Sequence, residues 1–398
     1  MRVGYHLHVP FSRSPDGTVL YPRHHALFIE ELARQSGGVK FFAFESQTPD
    51  VRDLALDTSL VDVVSLGPRM QHPAAYISRK PLRRLRALWN DLDVFLVRGP
   101  GPLVPRILRA RGGPPRLPLI MGDLRSWRPN RANSAWRNAS IYAYRLAYLF
   151  DEKAVLKRGP VLVNNTWLRD RLVENGCRHV RETFTSTLTE DMAANLSHVA
   201  DGRRIDHGGA IRLLNTGRIV EEKGIGDIVE ALVELRRQGI NAELELVGWA
   251  PDRDPTGDLA LRRAEAAGLS GAVRLTGYRA PGPELVERYK QADVYLFGSP
   301  TEWGMPQSLI EAMAAGLPVV TTDFEGSRGL LVDREHALVV PPRDPGAMAA
   351  AIRLLLEDAD LRCRISASAR RWAVHRTNER SVADILRHLR EVANQRRT

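Results

Sequence analysis

Two carboxylates, Glu302 and Glu311, flank a helix start in residues 299–323, SPTEWGMPQSLIEAMAAGLPVVTTD. The apolar run 294–297 reaches a loop of Gly, Ser, Pro and Thr, and a helical pattern follows over 307–315. Gly316 and Pro318 close that helix, and 319–321 begins another buried strand. In open α/β sheets, loops at the carboxyl ends of strands hold ligands, and a helix N-terminus there offers N–H groups to anionic or hydroxyl-rich ones. Glu311 lies in an Ala- and Leu-rich helix whose other faces read as buried, where an unpartnered carboxylate is costly. Two roles fit it: an acid bonded to neighbouring backbone or to an Arg, or a bidentate acceptor for a vicinal diol such as a ribose.

A second constellation opens the same half of the chain. Thr216-Gly217-Arg218 ends a strand, and Glu222-Lys223-Gly224 follows at a helix start. Glycine after a strand lets backbone approach a ligand, and an Arg and a Lys converging on a helix N-terminus suit a diphosphate. An exposed loop Arg and Lys is the alternative. Gly248 and Gly277 are further strand-end glycines. In the first half, His6 and His8 alternate on the first strand and share one face, as core or rim histidines do. Asp123 follows the strand at 117–121. A carboxylate there would orient or deprotonate a hydroxyl, or serve as a helix cap or turn acid.

The elements that must position these groups alternate along the chain. Strands at 2–9, 39–44, 61–66, 93–97, 117–121 and 161–163 are separated by helices at 25–35, 78–90, 102–111, 135–157 and 167–175. Residues 10–22 read as loop. Such alternation implies parallel βαβ units and a doubly wound sheet. Residues 197–209, polar and aperiodic, read as a linker. The alternation then restarts, with strands at 211–216, 243–247, 273–276, 294–297, 319–321 and 338–340, and 362–392 is helical to its end.

Composition bounds the partners. Among 398 residues the net charge is +10, and residues 1–200 carry the imbalance, with 29 Lys and Arg against 18 acids. A basic half faces an acidic partner (nucleic acid, an anionic membrane or a phosphorylated substrate) or is a set of solvated Arg faces. The basic helix at 78–90 reads in two ways, as a solvated face or as contact with anionic lipid. Its basic residues are not interleaved with aromatics in a recognised module, which argues against nucleic acid. Two distant cysteines, Cys177 and Cys363, fit a reducing compartment. The N-terminus reads as a strand and not a secretory signal, and no run of 18 apolar residues occurs. The expectation is a cytoplasmic protein, soluble or peripheral at the inner face of the membrane. Arg dominance points to a GC-rich bacterial source.

The segment 299–323 resembles the donor-site signature of retaining, nucleotide-sugar-dependent glycosyltransferases of family four. That resemblance implies an α/β protein of GT-B architecture, two Rossmann-like domains facing across a cleft. Residues 1–199 would form the acceptor side, 208–374 the nucleotide-sugar side, and about 375–398 would pack back on the first. The family carries GR and then EKG where this chain has Gly217-Arg218 and Glu222-Lys223-Gly224. By the resemblance, Arg218 and Lys223 bind the donor diphosphate and stabilise its departure. The backbone at Gly304, Met305 and Pro306 holds sugar hydroxyls, Tyr278 and Arg279 after Gly277 contact the base, and Asp123 serves the acceptor. Asp123 is similar to the acid of an Arg-Asp-Leu-Trp element, with Gly122 in place of the Arg and Trp127 further on. Where members often carry a Gly-rich loop after strand one, this chain has SRSPDGTVLYP with the single Gly17.

The signature separates its acids by seven residues. Here eight separate Glu302 from Glu311, and Trp303 stands where the first is expected. Either the loop absorbs Trp303 as an insertion, or the sugar hydroxyls are held differently. The implied reaction moves a sugar from a UDP- or GDP-linked donor to a hydroxyl of a glycan, glycolipid or small natural product. It needs no metal and no cofactor beyond the nucleoside diphosphate sugar as co-substrate. A sugar-nucleotide 2-epimerase and a non-catalytic glycosyltransferase-like subunit are the alternatives on the same fold.

Overall fold

The computed structural model describes residues 1–50, 52–124, 134–197 and 209–395. Residues 198–208 of the expected linker, and Trp127, lie outside the described residues. Cα proximity divides the chain into two units, Met1–Thr187 with Asn378–Thr398, and Leu188–Thr377.

The first unit runs β1 (Val3–His6), β2 (Ser12–Arg13), β3 (Val19–Pro22), α1 (Arg23–Ser36), β4 (Val39–Glu45), β5 (Asp53–Ala55), β6 (Val61–Pro68), α2 (His72–Ile77) and α3 (Lys80–Ala87). It continues with β7 (Val94–Gly99), α4 (Val104–Arg109), β8 (Arg116–Ile120), α5 (Ala135–Leu156), β9 (Val161–Val163), α6 (Thr166–Glu174) and β10 (Val180–Glu182). Seven of these strands form one parallel sheet in the order β10-β9-β8-β7-β1-β4-β6. The central strands β1 and β7 are buried along nearly their whole length, as strands covered on both faces must be. The chain winds outward from β1 toward β6 and then returns to start again at β7. The loops after β1 and β7 therefore diverge, leaving a crevice at the carboxyl edge.

Several sequence expectations need correction. Residues 10–22 are not all loop: β2 and β3 pair antiparallel and β3 pairs with β5 in a small separate sheet. Strands of two to four residues beside Pro10, Gly17 and Pro22 show too little alternation to stand out from turn signals. The helix expected at 78–90 is shorter and is preceded by α2. Leu85 and Trp89 turn inward, Arg83, Arg84 and Arg86 are exposed, and Arg86 and Arg116 lie over the Trp89 ring.

The second unit comprises α7 (Glu190–Ser197), β11 (Ile211–Arg218), α8 (Ile225–Arg237), β12 (Ala242–Trp249), α9 (Thr256–Ala266), β13 (Val273–Gly277), α10 (Pro283–Gln291) and β14 (Val294–Phe297). It continues with α11 (Gln307–Ala314), β15 (Val319–Thr322), β16 (Leu338–Val340), α12 (Pro345–Glu357) and α13 (Ala359–Val374). Its parallel sheet has the order β13-β12-β11-β14-β15-β16. Strand order reverses between β11 and β14. Helix α7, expected in the first domain, belongs here because Leu188, Ala193 and Leu196 bury against Tyr289 and Phe297.

The terminal helical stretch consists of two helices. After α13 the chain returns as α14 (Asn378–Asn394), which completes the first unit. Val382, Ile385, Leu386 and Leu389 are fully buried in the core with Phe28 and Ile29, each contributing about 2 kcal/mol of apolar burial. Asn378 Nδ2 donates to the Leu27 carbonyl at 2.9 Å and Ser381 Oγ to that of Phe184 at 2.7 Å. The boundary therefore falls at the polar break after α13, invisible to helical periodicity on either side.

Candidate active site

In the second unit, the point where strand order reverses brings together the loop after β11 and the loop after β14. They can close because two glycines meet: a Cβ on Gly224 would lie 1.9 Å from the Gly298 carbonyl oxygen. Gly224 also has φ +69°, a left-handed conformation that initiates α8. Gly224→Ala is expected to lower the stability of the second unit by about 2–4 kcal/mol, because overpacking against backbone adds to left-handed strain. Urea unfolding followed through that unit tests this, and a loss below 1 kcal/mol would contradict the close approach.

This closure places Lys223 against Glu302. The ammonium donates to Glu302 Oε1, with the two side chains 19% and 21% exposed. Ser299 Oγ reaches the same carboxylate oxygen at 3.1 Å and the Glu222 carbonyl at 2.9 Å, tying the loops together. Lys223 Nζ also lies 6.0 Å from the centroid of Phe297. Arg218 at the end of β11 is half-exposed and lies 3.3 Å from Glu222, after Gly217 with φ +145°. It is therefore Glu302 that faces the lysine. Trp303 is partly buried in the following turn. That turn is fixed from the other side, since Gly326 N donates to the Glu302 carbonyl at 2.8 Å and Gly326 abuts the Gly304 backbone.

Met305 packs partly into the core and Pro306 precedes α11 as its N-cap, a residue whose side chain has no acceptor for the first turn's amides. Glu311, one helical turn further, is only 7% exposed. Its Oε2 accepts from the Tyr289 hydroxyl at 2.8 Å, and that hydroxyl meets Thr216 Oγ1 at 2.9 Å. The acid is thus linked through α10 to the end of β11. Burial, and then the Glu311 charge, push the Tyr289 phenol well above its ordinary range, so it stays a donor. Sequence reasoning missed Tyr289, because it follows Leu285 and Val286 on the apolar face of α10 and reads as core, and it read Thr216 only as the end of a strand.

The remaining expected residues are dispersed. Tyr278 and Arg279 follow β13, where Arg279 Nη1 donates to the Tyr278 carbonyl at 3.1 Å and Nε lies 3.5 Å from Glu284. They share the carboxyl edge of the sheet but lie beyond β12 from the lysine pair. Asp123, in the first unit, is closed off. Its side chain is 3% exposed and paired with Arg171 of α6, so the structure presents it as an internal ion pair and not as an open base.

The first unit has a cavity at its own reversal point, which the sequence did not disclose. About 900 Å³ in volume, it is lined by Leu7, His8, Val9 and Pro10 after β1, by Pro100 after β7, and by Arg69 to Pro73 around the start of α2. Arg137, Ile141, Tyr144 and Arg145 complete it from one face of α5. The His8 and His72 rings lie 4.6 Å apart. The 4- and 3-residue spacing on α5 was the signal available, hidden in a helix that is apolar on other faces as well.

The profile of the family described as Glycosyl transferases group 1 matches residues 210–358. The chain is 34% identical over 160 residues to the amylovoran biosynthesis glycosyltransferase AmsK of Erwinia amylovora, covering 38% of this chain and 37% of that protein. It is 31% identical over 159 residues to the alpha-D-kanosaminyltransferase of Streptomyces kanamyceticus, covering 39% of each. The matched region thus spans less than half the length of these curated relatives. Among solved structures, sucrose-phosphate synthase from Thermosynechococcus elongatus superposes with a TM-score of 0.73 over 98% of this chain and 99% of that one, at 17% identity. HepE of Anabaena in complex with UDP gives 0.68 over 98% and 100%, at 16%. These likenesses show a fold shared with GT-B glycosyltransferases, two Rossmann-like units on parallel sheets. Residues 210–358, which hold the lysine–glutamate pair and Glu311, form a glycosyl transferases group 1 domain.

Proposed function

We propose that the protein is a retaining glycosyltransferase that moves a sugar from a nucleoside diphosphate sugar to an acceptor hydroxyl without a metal. The observation that carries this reading is the Lys223–Glu302 pair at the reversal point of the second sheet, beside Arg218 and the start of α11. A cation there meets the diphosphate, and fixed charge aimed at a leaving group is the largest lever on such a reaction. Glu311, held by Tyr289, accepts the ribose hydroxyls. The backbone of Gly304, Met305 and Pro306 holds the sugar, Tyr278 and Arg279 serve the base, and Gly217 leaves room for phosphate. Asp123 acts from within its ion pair, orienting the acceptor side and not itself taking a proton. Retention follows if the acceptor attacks on the face from which the diphosphate leaves, with a phosphate oxygen taking the acceptor proton.

Calorimetric titration with UDP, GDP and other nucleoside diphosphates, with and without chelator, tests the reading. UDP heads the panel because the HepE structures carry UDP and UDP-glucose. One diphosphate is expected to bind with a low-micromolar to sub-millimolar Kd, unchanged by chelation. Glu311→Gln, which can still accept from Tyr289, is expected to weaken that binding about tenfold through loss of a charged acceptor. Binding by none of the diphosphates would transfer support to a non-catalytic subunit. A product altered in its sugar with the diphosphate intact would indicate the epimerase.

A further inference from the structure

Helix α5 is apolar on two faces, and the fold of the first unit uses one of them. Tyr144, Tyr148, Val155 and Leu156 turn inward, the stripe a helix needs to pack on its neighbours. A second stripe runs along the outside. Trp136, Ala139, Ala143, Leu146 and Phe150 succeed one another at intervals of 3, 4, 3 and 4 residues, and all are exposed. Such intervals set side chains on one line along a helix, here about 21 Å long. Trp136 is 82% exposed and Phe150 78%, with Tyr142 and Leu146 beside them at 51% and 52%. One exposed apolar side chain is ordinary, whereas a continuous line with aromatics at both ends marks a surface that meets something apolar.

The charge beside this line indicates what it meets. Tyr76 of α2 ties α5 to its neighbours: its ring lies 5.5 Å from that of Tyr144, its hydroxyl donates to Asp151, and Arg109 of α4 pairs with the same carboxylate. Ala75, Leu85 and Ile107, from α2, α3 and α4, share a core with Phe42 of β4, while α1 and α14 pack with Phe41 on the opposite face of the sheet. The outer sides of α3 and α5 thus belong to one face of the unit. On it, Ile77 follows Tyr76 and is 75% exposed, and Phe150 precedes Asp151. Arg79, Lys80, Arg83 and Arg84 come next, all exposed and without a carboxylate partner among the described residues. No Asp or Glu occurs between Asp62 and Asp91. The acids of α5 do not offset these cations, since Asp151 is taken up by Arg109 and Glu152 is buried.

We infer that this face docks on an anionic lipid bilayer. Trp136, Leu146 and Phe150 enter the headgroup and upper acyl region, while Arg79, Lys80, Arg83 and Arg84 meet lipid phosphates. Helices that lie in a membrane interface join an apolar line to flanking cations, and Trp settles by preference at the headgroup level. A second copy of the chain suits this face poorly, because a two-fold contact through α5 would bring the basic segment of each copy toward that of the other. The docking face lies wholly in the first unit and is independent of the donor site.

The test is co-sedimentation of the full chain with vesicles of phosphatidylcholine alone and of an equimolar mixture of phosphatidylcholine and phosphatidylglycerol. Binding is expected to the mixed vesicles only, and to weaken as salt is raised. Trp136→Ser/Phe150→Ser is expected to weaken it at least about tenfold through lost apolar insertion. Arg79→Ala/Lys80→Ala/Arg83→Ala/Arg84→Ala is expected to weaken it by at least as much through lost attraction to the anionic surface. Both variants change exposed side chains, so their thermal unfolding midpoints should stay at that of the parent chain. Absence of binding to the mixed vesicles, equal binding to phosphatidylcholine alone, or binding that the α5 variant leaves intact overturns the inference. Self-association in sedimentation velocity without lipid, abolished by Trp136→Ser/Phe150→Ser, would assign the face to a second copy and overturn it as well.

Discussion

Lys223→Ala is expected to slow release of nucleoside diphosphate from the sugar donor at least ~100-fold, about 2.7 kcal/mol of transition-state stabilisation. As the glycosidic bond breaks, negative charge gathers on the leaving diphosphate. Lys223 lies at the reversal point with its side chain four-fifths buried, where a charge is screened less than in water. Before donor binds, the ammonium is held by Glu302, itself held by Ser299. Glu302 therefore orients the lysine. Glu302→Gln is expected to cost less than Lys223→Ala, and the double variant to cost no more than the lysine alone, because the acid acts through the cation. The measurement is nucleoside diphosphate release at saturating donor, with thermal unfolding of each variant as control. Near-normal release in Lys223→Ala, with the protein folded, would sink the donor-site assignment.

The same pair shows how far the sequence carries. Glu302 and Lys223 are legible because each lies in a loop between a strand end and a helix start, and Glu311 because it is an acid inside an apolar helix. The parallel order of both sheets follows from alternation of apolar runs with helices, since a crossover needs a helix. What periodicity hides is whatever depends on which elements become neighbours. That Glu302 and not Trp303 meets Lys223 depends on Gly224 and Gly298 touching and on Gly326 pinning the turn. Asp123 looks available in sequence, but Arg171 arrives from α6, nearly fifty residues later, and closes it off. Tyr289 reads as core and is core, yet its hydroxyl end fastens Glu311. The cavity of the first unit draws on loops after β1, β6 and β7 and on one face of α5, none of which carries a motif. The small antiparallel sheet and the place of α7 in the second unit fall in the same class.

The first unit should also lose stability steeply below about pH 6.5. His6 is fully buried in β1, where its Nδ1 meets the Phe42 carbonyl at 2.8 Å and must donate, which fixes the neutral tautomer. Burial lowers His6 to about 4, against an ordinary 6.5. His25, 8% exposed on α1, is held well below its ordinary value by burial and by Arg98, whose Nη1 lies 3.3 Å from its Nδ1. Both stay neutral in the folded chain while the unfolded chain takes up protons as pH falls through 6.5. The unfolded state then binds more protons, so stability is complete above that value and declines on acidification, the His6 share ending where its folded ring titrates near pH 4. Each such histidine removes at most about 1.4 kcal/mol per pH unit, so the two together remove roughly 2.4 kcal/mol across pH 6 to 5, where the unfolded rings are not yet fully protonated. Against a total of about 5–15 kcal/mol, a loss that runs from pH 6.5 down to about 4 removes a large share of the unit's stability. Urea unfolding at pH 7.5, 6.5, 5.5 and 4.5 reads the slope, and His6→Asn, whose amide can still donate to Phe42, should flatten it by about one histidine's share. A slope below ~1 kcal/mol per unit between pH 6 and 5, or one that His6→Asn leaves unchanged, would mean that these rings gain protons without unfolding the sheet around them.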